Sequence, residues 1–242
     1  MTIGRRRVLT GLSATALTGL AGCAGTGTRS GGLTFIDSEV QVAKTSGEHA
    51  DIVLQADGTP RLEDLMKTGP LGEKSLGRTD APVTMIKYAS LTCPYCRAFH
   101  TKTFPELQRR YIKTGKVRYI LREFPIGHAS GAATIVMRCI GQQDDRKYFA
   151  LYHAYITKQH LWVSQEVRKD AIYKIAAPLG ITRKMFDRCF ENQNIVDGLK
   201  WVKERGRKLG VIGTPTFFIN GKKVRSVLKI DEIKELIDPY LA

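Results

Sequence analysis

The hydrophobic pattern of the chain changes its period several times, and the order of these changes predicts alternating strands and helices. Apolar runs at residues 83–90 and 117–122 are typical of strands. Between them, residues 94–113 have a helical pattern, and Pro105 should kink this helix because proline removes a backbone hydrogen bond. A right-handed crossover through the helix would place the two strands parallel to each other.

The second half of the chain predicts a long helical region followed by a hairpin and a closing helix. Residues 129–209 are predicted to be mostly helical, with Ser164 and Thr182 as N-caps. Asn220-Gly221 favours a tight turn between strands at 216–219 and 223–227, and Asp231 should cap the closing helix. This order of elements indicates an α/β protein with a thioredoxin fold, in which a helical subdomain is inserted into a central mixed sheet.

The residues before the first strand have a weaker pattern. Residues 52–54 are compatible with an edge strand, and residues 62–67 with a short helix. We therefore divide the chain into five parts: a signal peptide at 1–22, a lipid tether and N-terminal extension at 23–68, the first half of the thioredoxin fold at 69–128, the helical insertion at 129–209, and the second half at 210–242.

Residues 1–22 are predicted to be an export signal. Arg5-Arg6-Arg7 precedes a mildly apolar stretch of about 14 residues, which is too short to span a bilayer. The stretch ends in Leu20-Ala21-Gly22-Cys23, which resembles the lipobox of bacterial lipoproteins, and the arginines resemble a Tat signal. The resemblance implies lipid on Cys23 and a protein held by it at a membrane, in the periplasm or cell envelope. An ordinary export signal with a chance cysteine, and a retained membrane anchor, are the alternatives.

The net charge says less about partners. The chain has 242 residues and a formal net charge of +15, which would attract anionic lipid headgroups or acidic clients. A solvated basic surface is the simpler alternative. Basic residues do not alternate with aromatic residues and there is no zinc-finger spacing, so the sequence argues against nucleic-acid binding.

Cys93-Pro94-Tyr95-Cys96 stands where the first predicted strand ends and the helix begins. Proline suits the first helical turn, and a helix N-terminus favours the thiolate form of the first cysteine. A thiolate attacks disulfides and is also a good leaving group, so the motif predicts thiol–disulfide exchange. Two alternatives are a purely structural disulfide and half of a zinc site, which would need Cys139, Cys189 or His100 as further ligands.

Cys139 and Cys189 remain after the other cysteines are assigned. An exported protein lives in an oxidising compartment, so these two are predicted to form a structural disulfide, although two separate buried thiols remain possible. In the chain-entropy model, closing a loop of about 50 residues stabilises the fold by roughly 4 kcal/mol.

From about Leu71 to Tyr240 the chain resembles the DsbA-like thiol:disulfide oxidoreductases. The resemblance rests on four segments: Asp80-Ala81-Pro82-Val83-Thr84, Tyr88-Ala89-Ser90-Leu91-Thr92-Cys93-Pro94-Tyr95-Cys96, Arg122-Glu123-Phe124-Pro125 and Gly213-Thr214-Pro215-Thr216-Phe217-Phe218-Ile219-Asn220-Gly221. It implies that Cys93 is the nucleophile and Cys96 the buried partner. It also implies a cis bond before Pro215, which turns the backbone of Thr214 toward a client strand. The redox-active disulfide then serves as the only redox group, with no separate cofactor and no metal.

Two residues near the cysteines depart from the pattern of the family, and a third is a histidine that could affect the thiolate. Tyr95 stands where the family often has histidine, so it supplies no cation to favour an oxidising potential. Lys87 stands where relatives carry a buried glutamate; it would favour thiolates if charged and near, or it snorkels to water and matters little. His100 lies two turns along the helix, either as a modulator of the thiolate or as a surface histidine.

The resemblance predicts an exported, lipid-anchored enzyme that introduces disulfides into exported proteins with cysteine pairs. It would act as a monomer and be reoxidised by a DsbB-like, quinone-linked membrane oxidase. A reductase or isomerase kept reduced by a membrane donor is the first alternative. A non-catalytic lipoprotein chaperone that binds extended peptides is the second.

Overall fold

The computed structural model describes residues 52, 54–56, 58–224 and 229–241. The predicted signal peptide, Cys23 and residues 225–227 of the predicted hairpin therefore lie outside the described residues. Within the described ranges, none of the helices has both the length and the apolar character that crossing a membrane requires.

Five strands form a mixed sheet: β1 Ser75–Leu76, β2 Val83–Ala89, β3 Val117–Glu123, β4 Thr216–Ile219 and β5 Lys222–Val224. Their order across the sheet is β1-β3-β2-β4-β5. β2 and β3 run parallel, as the right-handed crossover predicts, and the other neighbours are antiparallel. The predicted thioredoxin fold with its central mixed sheet is confirmed.

The helices surround this sheet and fill the interval between β3 and β4. They are α1 Leu62–Met66, α2 Pro94–Ala98, α3 Phe104–Leu107, α4 Gly127–Ile140, α5 Asp145–Thr157, α6 Gln159–Trp162, α7 Lys169–Ala176, α8 Arg183–Cys189, α9 Gln193–Lys208 and α10 Ile230–Ile237. Short 3-10 turns at Ala177–Leu179 and Asp238–Tyr240 follow α7 and α10. The helices α4 to α9 form the helical insertion expected between the two halves of the sheet.

The helix predicted over 94–113 is present, but its geometry alternates. π-helical turns at Phe99–Thr103 and Gln108–Ile112 follow α2 and α3. The first π turn ends just before Pro105, and the N–H of Phe104 bonds the carbonyl of Phe99, five residues back. Proline has no N–H to continue the α-helical pattern, so wider pairing on its N-terminal side is a local response to Pro105.

Two of the three predicted caps were wrong. Thr182 does cap α8, where its hydroxyl accepts the N–H of Met185 at 3.3 Å. Ser164 lies in the loop before α7 and bonds a carbonyl two residues on at 2.6 Å. Asp231 lies inside the first turn of α10, and the helix begins after Lys229 instead. Residue type alone predicts local hydrogen bonding but does not decide which local partner a short polar side chain takes.

The region before the sheet is only partly as predicted. The short helix expected at 62–67 is α1, whereas the described residues 52 and 54 of the edge strand expected at 52–54 do not form a strand. Leu54 forms only an isolated bridge with Pro60. β1, which the sequence pattern did not predict, is two residues long and exists through its pairing with β3. Short strands depend on a partner more than on their own residues.

Both faces of the sheet are covered, and this decides where the side chains of β2 lie. Met85 and Ala89 belong to the larger core, on the face of α2 and the helical insertion, whereas Ile86 and Tyr88 belong to a second core that includes residues of α9. Side chains alternate between faces along a strand. Lys87 therefore enters the larger core, on the same face as α2.

Candidate active site

Cys93 and Cys96 lie where β2 leads into α2. Cys93 is the N-cap residue of α2, with extended backbone geometry, and its sulfur accepts the N–H of Cys96 at 3.4 Å. Pro94 occupies the first turn. Cys93 is half-buried and Cys96 is fully buried, and both carry free thiols. Cys93 is therefore the more accessible sulfur of the two, and Cys96 is enclosed by the protein.

The loop before β4 lies against Cys93. The peptide bond between Thr214 and Pro215 is cis. In its protonated form the thiol of Cys93 donates to the carbonyl of Thr214 at 3.1 Å, across 121 residues of sequence. The fold thus brings together the two segments that the sequence analysis assigned to the site, with a backbone carbonyl directly beside the nucleophilic sulfur.

The two thiols of the pair have opposite pKa shifts. A hydrogen bond from the Cys96 side chain, helped by the backbone N–H groups of Cys96 and Tyr95, lowers the pKa of Cys93 to about 5 although burial opposes it. Burial, and the hydrogen bond to Cys93, raise the pKa of Cys96 well above its usual value. At neutral pH Cys93 is a thiolate and Cys96 is a protonated thiol, which suits a nucleophile and its resolving partner.

Lys87 is enclosed in the core below the cysteine pair. Its side chain is completely buried, and Nζ donates to the hydroxyl of Tyr152 at 3.1 Å and lies 4.4 Å from the ring centroid of Phe99. The interpretation in which Lys87 snorkels to water is wrong, because helices cover this face of the sheet. Burial lowers the pKa of Lys87 to about 8, although the charges of Cys96 and Cys93 raise it.

His100 is also buried, so the interpretation as a surface histidine is wrong. Its Nε2 lies 3.0 Å from Nδ1 of His153, which is exposed, and its ring stacks on Phe104. Burial, followed by the positive charge of Lys87, lowers the pKa of His100 to about 3. The ring is therefore neutral at physiological pH and supplies no charge that could favour the Cys93 thiolate.

Two polar residues that the sequence analysis did not single out hold the segment before Cys93. The amide of Gln159, from α6, donates to the carbonyls of Leu91 at 2.7 Å and Cys93 at 3.0 Å. The hydroxyl of Ser130, from α4, accepts the N–H of Leu91 at 3.2 Å and lies 2.8 Å from that of Ser90. No local motif marks these residues, because their partners lie far away in sequence.

A buried ion pair, also missed by the sequence analysis, fixes the end of β3 to the helical insertion. Arg138 binds Glu123 with two nitrogens, one of them Nη2 at 2.8 Å from Oε2, and donates to the carbonyl of Leu71 at 3.1 Å. Tyr148 donates its hydroxyl to Glu123 at 2.5 Å. The ion pair and the Tyr148 hydrogen bond therefore join the end of β3 to α4 and α5.

Exposed apolar side chains lie in three segments near the cysteine pair in the chain or in contact with its flanking residues. Tyr95 is 62% exposed, Ile126 44% and Ile212 74%. Thr92 donates to the carbonyl of Ile126 at 3.2 Å, which ties that loop to the cysteine segment. A groove of about 330 Å³ is lined by Phe124, Ile126, Lys203, Arg207, Val211 and Ile212. Ile126 and Ile212 therefore line one groove, whose lining also includes the basic side chains of Lys203 and Arg207.

Cys139 and Cys189 form a disulfide that joins α4 and α8, with their Cα atoms 5.5 Å apart. They are therefore not available as ligands for the zinc site that was considered as an alternative. Among the described residues, no group of three or more His, Cys, Asp or Glu side chains is arranged to hold a metal ion.

Comparison with known proteins gives one family match and several relatives. The profile of the Thioredoxin family matches residues 71–239. A relative from Rickettsia bellii, named as a protein-disulfide oxidoreductase, is 30% identical over 191 residues, which are 76% of this chain and 71% of the relative. Disulfide bond formation protein D of Bacillus subtilis is 24% identical over 175 residues, 70% of this chain and 78% of the relative. The chain spans only 59–61% of four other Rickettsia relatives.

Solved structures show the same fold. Alpha-DsbA1 of Wolbachia pipientis is 29% identical with a TM-score of 0.66, covering 73% of this chain and 94% of that one. Oxidised BdbD of Bacillus subtilis has a TM-score of 0.63 at 21% identity, covering 76% of this chain and 96% of that one, and so supports the fold alone. The region matched by the family profile contains every residue described above around Cys93.

Proposed function

This chain belongs to the DsbA-like thiol:disulfide oxidoreductases of the thioredoxin superfamily, and on that premise we propose that it introduces disulfides into exported proteins. The observation that supports oxidation of client proteins, rather than their reduction, is the pKa of Cys93, which is lowered to about 5. A stable thiolate stabilises the reduced pair relative to its disulfide, which makes the disulfide a stronger oxidant.

The proposed reaction has two exchange steps. A client thiolate attacks Cys93 in the Cys93–Cys96 disulfide, a mixed disulfide forms, and Cys96 leaves with the electron pair. The second client thiolate then attacks the client sulfur of the mixed disulfide, and Cys93 leaves as a thiolate. The client gains a disulfide and the enzyme is left as a dithiol. The low pKa of Cys93 favours the second step because it makes Cys93 a good leaving group.

The client would bind as an extended segment beside Thr214 and Pro215. The carbonyl of Thr214 accepts the Cys93 thiol at 3.1 Å only while Cys93 is protonated. Once Cys93 is a thiolate or is joined to a client sulfur, it no longer donates, and this carbonyl can accept an N–H from the client backbone. The exposed side chains of Tyr95, Ile126 and Ile212 offer apolar contacts that an unfolded segment can use.

The cellular setting is proposed from the start of the sequence. Leu20-Ala21-Gly22-Cys23, outside the described residues, supports lipid on Cys23 and a position at the cell envelope. Clients there would be exported proteins with cysteine pairs. The enzyme would act as a monomer, and a DsbB-like, quinone-linked membrane oxidase would reoxidise it. A Cys23→Ser variant tests the anchor: it should move the protein from the membrane fraction to the soluble fraction.

One observation favours a second function. Tyr95 supplies no positive charge between the cysteines, which weakens the stabilisation of the thiolate and would suit a reductase or isomerase. Trapping free thiols in growing cells with a mass-tagged alkylating reagent separates the two functions. An oxidase should hold Cys93 and Cys96 mainly oxidised, and a mainly reduced pair would overturn the proposal.

The trapping experiment needs two controls. Cys139 and Cys189 form a structural disulfide and should stay unlabelled in either case, so the label reports the active-site pair. Cys93→Ala tests whether the cysteines matter at all. A lipoprotein chaperone without catalysis would keep its function in this variant, whereas an oxidoreductase would lose it.

A further inference from the structure

A small cavity lies between the sheet, α9 and the segment that joins α1 to β1. Its lining comes from residues 67–73 of that segment, from Tyr88 of β2, from residues 121–123 of β3 and from α9. Neither cysteine of the redox pair lines it. Its volume is about 20 Å³, which gives room for one particle of the size of a water molecule but not for a polyatomic anion.

Positive charge predominates around this cavity. Its charged lining residues are four cations and two carboxylates: Lys67, Arg122, Arg138 and Arg205, and Glu73 and Glu123. Both carboxylates already have a basic partner. Arg138 binds Glu123, and Arg118, which lies outside the lining, binds Glu73 with Nη2 at 2.6 Å from Oε1. The carboxylates of the lining therefore do not balance its remaining cations.

Arg122 is the cation for which this imbalance matters most. It is only 8% exposed, and its Nη1 donates to the hydroxyl of Tyr88 at 3.1 Å. Its Nη2 is buried and makes no hydrogen bond. Among the ion pairs of the described residues, none joins a carboxylate to Arg122. A guanidinium keeps its charge in proteins, and a buried charge without a counter-ion is strongly destabilising, so a negative charge is expected beside it.

Tyr88 supplies a second donor to the same place. Its hydroxyl accepts the N–H of Arg122, which leaves its own proton for another acceptor. The side chain is fully buried and lines the cavity together with Arg122. Two linked and buried side chains thus each keep a donor beside a cavity with an excess of positive charge. Buried donors of this kind are usually satisfied by a water molecule or an ion.

One atom favours water over an anion. Oε2 of Glu73 is buried and makes no hydrogen bond, and Glu73 lines the same cavity. A water molecule could join this oxygen to Arg122, whereas an anion would be repelled by it. A neutral water molecule, however, leaves the charge of Arg122 uncompensated. The charge of Glu73 is already balanced by Arg118, so the electrostatic balance favours the anion.

We propose that this cavity is a binding site for a chloride ion, held by Nη2 of Arg122 and the hydroxyl of Tyr88. The ion neutralises the buried guanidinium. It also connects β2 and β3 to the segment before β1, because residues of all three line the cavity. Chloride therefore stabilises the folded chain, independently of the redox state of Cys93 and Cys96.

The test measures unfolding of the full-length chain in urea, with sodium chloride replacing sodium gluconate at constant ionic strength. Constant ionic strength removes the general screening effect of salt. Above the dissociation constant, each tenfold increase in chloride should raise the folding equilibrium constant about tenfold, as binding at one site requires. Bromide should act in the same way. A wild-type protein whose unfolding does not depend on chloride would overturn the proposal.

Four variants locate the ion. Arg122→Met should abolish the chloride dependence, and Tyr88→Phe should weaken chloride binding about tenfold because it removes one hydrogen bond to the ion. Glu73→Gln should tighten binding by about tenfold because it removes a like charge. Arg78→Met is the control, since Arg78 is an exposed arginine outside the lining, and it should keep the wild-type dependence. Chloride dependence that survives in Arg122→Met would place the ion elsewhere and overturn the assignment.

A crystal of the wild-type protein grown with bromide decides the matter if the Arg122 and Tyr88 variants do not fold. An anomalous peak within hydrogen-bond distance of Nη2 of Arg122 and the hydroxyl of Tyr88 is the expected result. Density for water there, without an anomalous signal, would overturn the proposal. So would an adventitious ion only, which is a peak that requires molar bromide in a protein whose unfolding ignores chloride.

Discussion

The thiolate of Cys93 leads to a prediction that can be worked through in numbers. With a pKa of about 5 in place of 9.0, Cys93 changes from about 1% to about 99% ionised at pH 7. Its intrinsic nucleophilicity falls at the same time, by about 60-fold over four pKa units. The two effects nearly cancel, so the rate of alkylation at pH 7 should stay within about threefold of an ordinary thiol.

The pH dependence of the alkylation rate, and not the rate at pH 7, therefore shows whether the pKa of Cys93 is low. Alkylation of Cys93 by iodoacetamide should rise through an inflection near pH 5 and stay flat from about pH 6.5 to 9. The modified peptide is quantified by mass spectrometry, under reduction mild enough to keep the Cys139–Cys189 disulfide. An ordinary thiol would instead gain about tenfold per pH unit up to about pH 8 and would level off only above its pKa.

Cys96→Ala tests the cause of the shift. The hydrogen bond from the Cys96 side chain is the largest contribution to the low pKa of Cys93, so the inflection should move upward. It should stay below 9, because the backbone N–H groups of residues 95 and 96 remain. Tyr95→Phe, which keeps its backbone N–H, is the matched control and should leave the inflection in place. An inflection between pH 8 and 9 in the wild type, or none of this movement in Cys96→Ala, would refute the reasoning.

Three further results concern stability. Replacing both Cys139 and Cys189 by serine should lower the free energy of unfolding by about 4 kcal/mol in denaturant titrations, from the loop closed over 50 residues, and no loss would contradict the entropic account. Arg138→Met should cost about 3–5 kcal/mol because it leaves Glu123 as a buried unpaired charge, and adding Glu123→Gln should recover much of the loss; an unchanged deficit would contradict this reason. The pKa of Cys93 is lower in the folded than in the unfolded protein, so ionisation of Cys93 stabilises the reduced fold. This contribution is complete above about pH 9 and is lost as the pH falls through about 5. The melting temperature of the reduced protein, measured against the oxidised protein as control, should therefore rise between pH 5 and 8, and a flat difference would contradict the sign.

Elements that depend on local pattern were predictable from the sequence. β2 and β3 are apolar runs long enough to recognise, and their parallel pairing follows from the handedness of the crossover. The hairpin turn is equally local: Asn220 has φ 43° and Gly221 has φ 90°, the positive values that a tight two-residue turn requires. β1 was missed because two residues carry no periodicity, and its pairing with β3 alone defines it.

The residues of the site also fall into those that the sequence could identify and those that it could not. Cys93, Cys96 and Thr214 could be chosen in advance because they belong to motifs with a local spacing. Gln159 and Ser130 could not, since each acts on the cysteine segment across a long sequence separation. Their role depends only on which helices the fold places beside that segment.

By itself, the sequence determined the order of the elements, the redox pair and the kind of reaction that the pair supports. Only the tertiary structure decided the state of each titratable group. Lys87 meets Tyr152 across 65 residues and is sealed by helices that cover its face of the sheet. Burial penalises charge according to what surrounds a side chain in space, and that information is absent from its position along the chain. The same burial that raises the pKa of Cys96 lowers the pKa of Lys87 to about 8.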